Sequence, residues 1–140
     1  MRQVTLWTDG GGKTIAGIGS GYKIGAGIVA ECEGHRKEWA LELGNGTSQQ
    51  SELLAIYEAL DLLRDRAALH VTVITDSKYC WGVLTGHFEA RCNLPIIRAI
   101  LKRMAEFGRV DINWVKGHAE DLNNERADRL AGIGCGRITL

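Results

Sequence analysis

Hydrophobic and polar residues alternate through Val4-Thr5-Leu6, and this period of two predicts a half-buried strand from Val4 to Asp9. The strand is expected to stop at Asp9, because Gly10-Gly11-Gly12 can take backbone angles that other residues avoid. Lys13–Gly21 reads as a loop of small residues. Tyr22–Ala30 and Arg36–Leu43 predict two more strands joined by a polar turn at Glu31–His35, and connections this short make the three an antiparallel meander. After the Gly44–Gly46 break, Thr47 and Gln50 have capping-box spacing and mark the start of a long helix. Leu53, Ile56, Leu60, Leu63 and Ala67 form its inward stripe, with Glu52 beside the stripe in the first turns.

Val71–Thr75 is a short apolar run ending at Asp76, a buried strand by composition. Because it follows a helix, a right-handed parallel crossover should lay it beside the first strand. Ser77–Leu84 reads as helix and Gly86–Asn93 as irregular. Pro95 opens a further helix whose Ile97, Ile100, Leu101 and Met104 are expected to face inward before Gly108 ends it. Val110–Val115 alternates as a strand, Leu122–Ala131 is a final helix, and Gly132–Leu140 reads as a flexible or loosely docked glycine-rich tail.

The 140 residues fit one domain, and a charged fraction of 24% fits a globular chain. No segment has the apolar length of a membrane span, and the N-terminal residues suit a strand rather than a signal peptide, so a cytoplasmic monomer is expected. Cys32, Cys80, Cys92 and Cys135 form no CxxC pair and have no histidine at zinc-finger spacing, which makes free thiols the expectation. Seventeen basic residues balance seventeen acidic ones, so the strongly basic signature of many nucleic-acid binders is absent, although a local patch remains open.

Candidate chemistry lies in the carboxylates. Asp9 and Asp76 each end a central strand, and in adjacent parallel strands both emerge at the sheet edge where α/β proteins place their sites. Glu52 can reach that edge from the long helix and Asp128 from the last one. Singly, each acid has an ordinary explanation: a charge at a helix N-terminus for Glu52, an N-cap for Asp76, a surface pair with Arg126 or Arg129 for Asp128. Gathered together they would repel and raise one another's pKa values unless cations neutralised them. Oxygen donors without Cys or His suit Mg²⁺, with Mn²⁺ as a substitute. Two such ions about 4 Å apart would suit in-line displacement at a phosphate.

TDGGG around Asp9, SELLAIYEAL around Glu52, ITDSKY around Asp76 and VKGHAEDLNNERADRLA from Val115 to Ala131 resemble, in order and spacing, the type 1 ribonuclease H family. The resemblance implies a five-stranded mixed sheet, three antiparallel strands then two parallel, flanked by helices. It also implies cleavage of the RNA strand of RNA/DNA hybrids, leaving 3′-hydroxyl and 5′-phosphate ends. On it, Asp9, Glu52, Asp76 and Asp128 become metal ligands, with Asp9 bridging two ions. His118 becomes the loop histidine that assists water activation or product release. Ser48 and Gln49 take minor-groove positions, Asn124 a 2′-hydroxyl contact, and Thr47 a phosphate pocket. Gly10, Gly11 and Lys78 are further substrate contacts. A hybrid-binding or DNA-directed nuclease domain of the same fold is the alternative reading. Two departures stand out: GGGKTI after Asp9 lacks the asparagine many members carry there, and Gly86–Asn93 lacks the basic, Trp-containing insertion of some members. Weaker hybrid binding is therefore expected.

Overall fold

The computed structural model describes residues 1–16, 21–117 and 121–139. Five strands, β1 (Arg2–Thr14), β2 (Tyr22–Cys32), β3 (His35–Asn45), β4 (Leu69–Thr75) and β5 (Arg109–Trp114), form one sheet in the order β3-β2-β1-β4-β5. The β1–β2 and β2–β3 pairs are antiparallel, while β1–β4 and β4–β5 are parallel. Helices α1 (Ser48–Asp61), α2 (Lys78–Thr85), α3 (Leu94–Met104) and α4 (Leu122–Gly134) flank it. The meander, the crossover and the mixed sheet all agree with the reading of the sequence. None of the described helices is long and apolar enough to cross a membrane.

Strand periodicity sorts the core into two layers. Val4 and Leu6 of β1, Ile28 of β2 and Val71 and Val73 of β4 pack under Leu53, Ile56 and Leu60 of α1. Trp7 and Val29, one residue out of phase, point to the other face and pack with Ala127 and Leu130 of α4. The capping box at Thr47 is present: the Gln50 N–H donates to Thr47 Oγ1 at 3.1 Å, and the Thr47 N–H donates to Gln50 Oε1 at 3.0 Å.

The structure corrects several boundaries. β1 does not stop at Asp9; Gly10, Gly11 and Gly12 pair with Ala26, Gly25 and Ile24 of β2. These glycines serve close approach rather than a turn: a Cβ on Gly10 would overlap the Ser51 backbone of α1. The helix α1 ends at Asp61, so Ala67 belongs to a 3₁₀ turn, Arg66–Ala68, and is exposed. Leu101 is 41% exposed, because α3 packs chiefly on α1 and only the narrow Ile97/Ile100 stripe reaches the core. α4 continues past Ala131 to Gly134, with Gly132, Gly134 and Cys135 buried, so the expected tail begins later than Gly132. All four cysteines are free.

The second close approach governs the site. A Cβ on Gly27, the β2 residue opposite Asp9, would overlap the Ala127 carbonyl oxygen of α4. Since both neighbours are backbone, Gly27→Ala should lift α4 from the sheet and cost about 3 kcal/mol, the upper range of overpacking. Urea unfolding measures this; a loss below about 1 kcal/mol would show that α4 yields at little cost.

Candidate active site

Asp9 lies one residue beyond the Thr8–Thr75 pair, the last of the parallel β1–β4 register, so its neighbour across the sheet edge is Asp76. Asp9 is 4% exposed, Asp76 is half-buried, and Ser77, not Asp76, caps α2. Glu52 reaches the same place from the second turn of α1, held by the Gly10 N–H, which donates to its carboxylate at 2.5 Å. That bond needs the helix backbone against β1, the approach that Gly10 permits. Oxygens of Asp9, Glu52 and Asp76 all lie within 4.8 Å of one another. Asp128 is exposed on α4, one residue after Ala127, and its side chain is the least of the influences that raise the Asp9 pKa. Arg126 is engaged elsewhere, with Nε 3.0 Å and Nη2 3.0 Å from the two carboxylate oxygens of Glu38, and no ion pair joins Asp128 to Arg126 or Arg129 among the described residues.

Burial, followed by the charge of Glu52, pushes the Asp9 carboxyl up to about 12. Burial also dominates at Glu52, where the Asp76 charge adds to it and the hydrogen bonds from Asp9 and Gly10 oppose it; the result is a carboxyl pushed up to about 7. Such a cluster favours either protons or a compensating cation. The donors present are carboxylate oxygens, a set that suits a hard divalent ion. Cys80 nearby adds no soft donor, because burial pushes its thiol up to about 12.

Residues nominated as substrate contacts surround this edge. Thr47, Ser48 and Gln49 are exposed at the N-terminus of α1, and Lys78 is exposed at the start of α2. Asn124 is 4% exposed, and its Oδ1 has no hydrogen-bond partner among the described residues. Gly10 and Gly11 place bare backbone beside Asp9. His118 lies outside the described residues. The sequence did not single out two neighbours. Asn93, in a left-handed conformation at φ 59°, donates through Nδ2 to Gln49 Oε1 at 3.4 Å and to the Tyr79 hydroxyl at 3.2 Å, tying α1, α2 and α3 together. Trp114 donates its indole N–H to the Asp76 carbonyl at 3.2 Å, and the Lys78 ammonium sits 5.5 Å from its ring. An aromatic residue at the end of β5, where the strand alternation stops, was the available signal for the second.

The family model described as RNase H matches residues 1–135. The chain is 33% identical to a Ribonuclease H of Desulforamulus reducens, with 94% of this chain and 86% of that protein covered. It is 37% identical to a Ribonuclease H of Paracidovorax citrulli, covering 96% and 95% respectively. Among solved structures, RNase H1 from the halophilic archaeon Halobacterium salinarum superposes with a TM-score of 0.76 at 25% identity, over 97% of this chain and 99% of that one. An N-terminal RNase H domain from Mycobacterium tuberculosis gives a TM-score of 0.80 at 22% identity over 98% and 96%, a likeness of fold.

The raised carboxyls make stability depend on pH. Their folded-state pKa values lie above the ordinary carboxylate range, so their contribution is fully present below that range. It is lost as pH rises, through about 7 at Glu52 and onward to about 12 at Asp9. Asp111, lowered by its His70 hydrogen bond, and Glu38, lowered by Arg126, act oppositely but only in more acid solution. Metal-free protein should therefore melt at a lower temperature at about pH 8 than at about pH 5, and Mg²⁺ should recover more at the higher pH. Thermal melts with and without Mg²⁺ check this; a flat metal-free profile would mean the carboxylates do not share one site.

Proposed function

The chain belongs to the RNase H family, and from that premise we propose that it is an endoribonuclease that hydrolyses the RNA strand of RNA/DNA hybrids with two Mg²⁺ ions. One observation carries the reading: three carboxylates, Asp9, Glu52 and Asp76, with oxygens inside 4.8 Å. When bound, the cations activate water and stabilise the leaving oxygen, which yields 3′-hydroxyl and 5′-phosphate ends. Asp9, Glu52, Asp76 and Asp128 would hold the ions, with Asp9 as the ligand they would share. The Gly10 N–H fixes the Glu52 carboxylate, so this ligand is oriented before substrate arrives. His118, four residues before Leu122 in the sequence, moves a proton or assists product release.

Selectivity for RNA needs a group that reads the 2′-hydroxyl. The unpartnered, buried Asn124 Oδ1 supports that role, since a hydroxyl donor would satisfy an acceptor that is otherwise costly to bury. Ser48 and Gln49 read the minor groove from α1, with Gln49 braced by Asn93. Thr47 completes a phosphate pocket at the helix N-terminus. Gly10 and Gly11 offer strand backbone beside Asp9 for substrate contact, while the space of their missing side chains is taken by α1 and α4, and Lys78 supplies a nearby cation. The protein acts as a monomer, with Mn²⁺ able to replace Mg²⁺.

Matched RNA/DNA, RNA/RNA and DNA/DNA duplexes incubated with Mg²⁺ or EDTA test the reading. Only the hybrid should be cut, only on the RNA strand, and only with metal; equal cutting of DNA/DNA would favour a DNA-directed nuclease. Asp9→Asn should abolish cleavage and raise the melting temperature of the metal-free protein near neutral pH, because a neutral amide avoids the cost of protonating on folding a carboxyl that is ionised in the unfolded chain. Retention of more than about a tenth of the wild-type rate, a loss below ~1.4 kcal/mol, would remove Asp9 from the mechanism. His118→Ala should lose about 10²–10⁴ in rate at unchanged metal affinity, and equal rates would leave His118 without a catalytic part.

A further inference from the structure

Beyond α4 the chain turns back on itself. Gly136 is left-handed at φ 83°, its N–H donates to the Ile133 carbonyl at 3.1 Å, and the Ile138 N–H donates to the Gly132 carbonyl at 3.0 Å. The turn lays Arg137 and Ile138 over Gly132, where a Cβ would meet Ile138 Cδ1 at 2.7 Å and Arg137 Nη2 at 3.0 Å. Arg137 Nη1 also donates to the Gly12 carbonyl of β1 at 3.5 Å. Gly132 is four residues after Asp128, so the stretch of helix that the guanidinium covers lies one turn, about 6 Å along the axis, from the residue that bears that carboxylate.

Two lysines share the spot. Lys13 donates to the Gly136 carbonyl at 3.4 Å, and Lys23 stands directly opposite Lys13 across the β1–β2 pair. Like charges opposed across strands are destabilising, and Arg137 brings a third. Glu42 pairs with Lys23 at 3.5 Å, but among the described residues no carboxylate lies within ion-pair distance of Lys13 or Arg137. The long bonds to the Gly136 carbonyl just past α4 and to the Gly12 carbonyl of β1 use part of this charge. What remains is an exposed, unneutralised cationic corner beside a cluster of carboxylates, suited to an anion running past them.

We propose that Arg137, assisted by Lys13, is a phosphate-binding residue that grips the RNA strand one or two nucleotides from the bond being cut, at about 3.4 Å of duplex axis per nucleotide. This rests on the function proposed above. Gly132 is part of the device, because a side chain there would occupy the guanidinium's seat. The contact is the same in ground and transition states, so it lowers KM without raising kcat.

The experiment compares wild type, Arg137→Gln, Arg137→Lys and Gly132→Ala on an RNA/DNA hybrid across a range of salt. Arg137→Gln should raise KM several-fold at unchanged kcat and melting temperature, and flatten the salt slope by about 1; Arg137→Lys should recover most of the loss. Gly132→Ala keeps the charge but displaces it, and should raise KM in the same direction and non-additively with Arg137→Gln. Neutral methylphosphonates placed singly along the RNA should reveal one position at which wild type weakens and Arg137→Gln does not. Cleavage by wild type with KM and slope unchanged in Arg137→Gln overturns the grip alone, as does a fall in kcat at constant KM. No hybrid cleavage by wild type overturns it together with the function.

Discussion

Burial of Asp9 in the middle of the sheet sets the terms for everything around it. A carboxylate removed from water and placed beside Glu52 and Asp76 is unfavourable as an ion, which is why its pKa is driven upward first by burial and then by its neighbours. The protein accepts this cost where it has the least need to relax. β1 is the central strand, paired on both edges, and its hydrophobic side chains are covered by α1 on one face and α4 on the other. The carboxylates therefore cannot move apart. A cation placed among them would relieve their repulsion, which is a way for a rigid scaffold to prepare a site before its ligand arrives.

Glycine is what brings the two helices near enough. Gly10 admits the backbone of α1, and through that approach its own N–H reaches Glu52. Gly27 admits the backbone of α4 opposite Asp9, and Asp128 follows directly after Ala127, the residue in contact. Thus the positions of two acids depend on two positions with no side chain at all. Further along α4, Gly132 does the same for Arg137. Sequence, packing and chemistry meet at these positions: each missing Cβ sets how closely a charged group can come to the sheet edge.

The strand alternation at Val4–Leu6, the Thr47/Gln50 box and the apolar run to Asp76 were legible because each is a local signal. So was the convergence of Asp9, Glu52 and Asp76, whose places at strand ends and a helix turn follow from those elements. The glycines after Asp9 were misread as the end of β1, since their local preference is for a turn and only the pressure of α1 and α4 keeps them extended. Leu101 followed the same logic in reverse. Its helical spacing looks inward, but nothing in the spacing tells how narrow a face α3 buries. The Gln49–Asn93–Tyr79 network joins residues far apart in sequence, so no local pattern could announce it.

Net charge was the least informative property of the chain, and the ion pairs explain why. Arg66 and Arg103, which look like a basic surface in sequence, are spent on Asp61 and Glu106 on the side of α1 and α3. Arg36 and Arg126 are spent on Glu31 and Glu38, and Arg2 on Glu33. These exposed pairs contribute little to stability individually. Their larger effect is to cancel charge locally over much of the surface. Lys13, Lys78 and Arg137 are among several cations outside that cancellation among the described residues; Lys13 lies on the strand that carries Asp9, Lys78 opens the helix that follows Asp76, and Arg137 lies in the turn after α4. A chain with zero net charge can thus present a positive rim around a negative centre, the pattern required to hold a polyanion's backbone while cations occupy the middle.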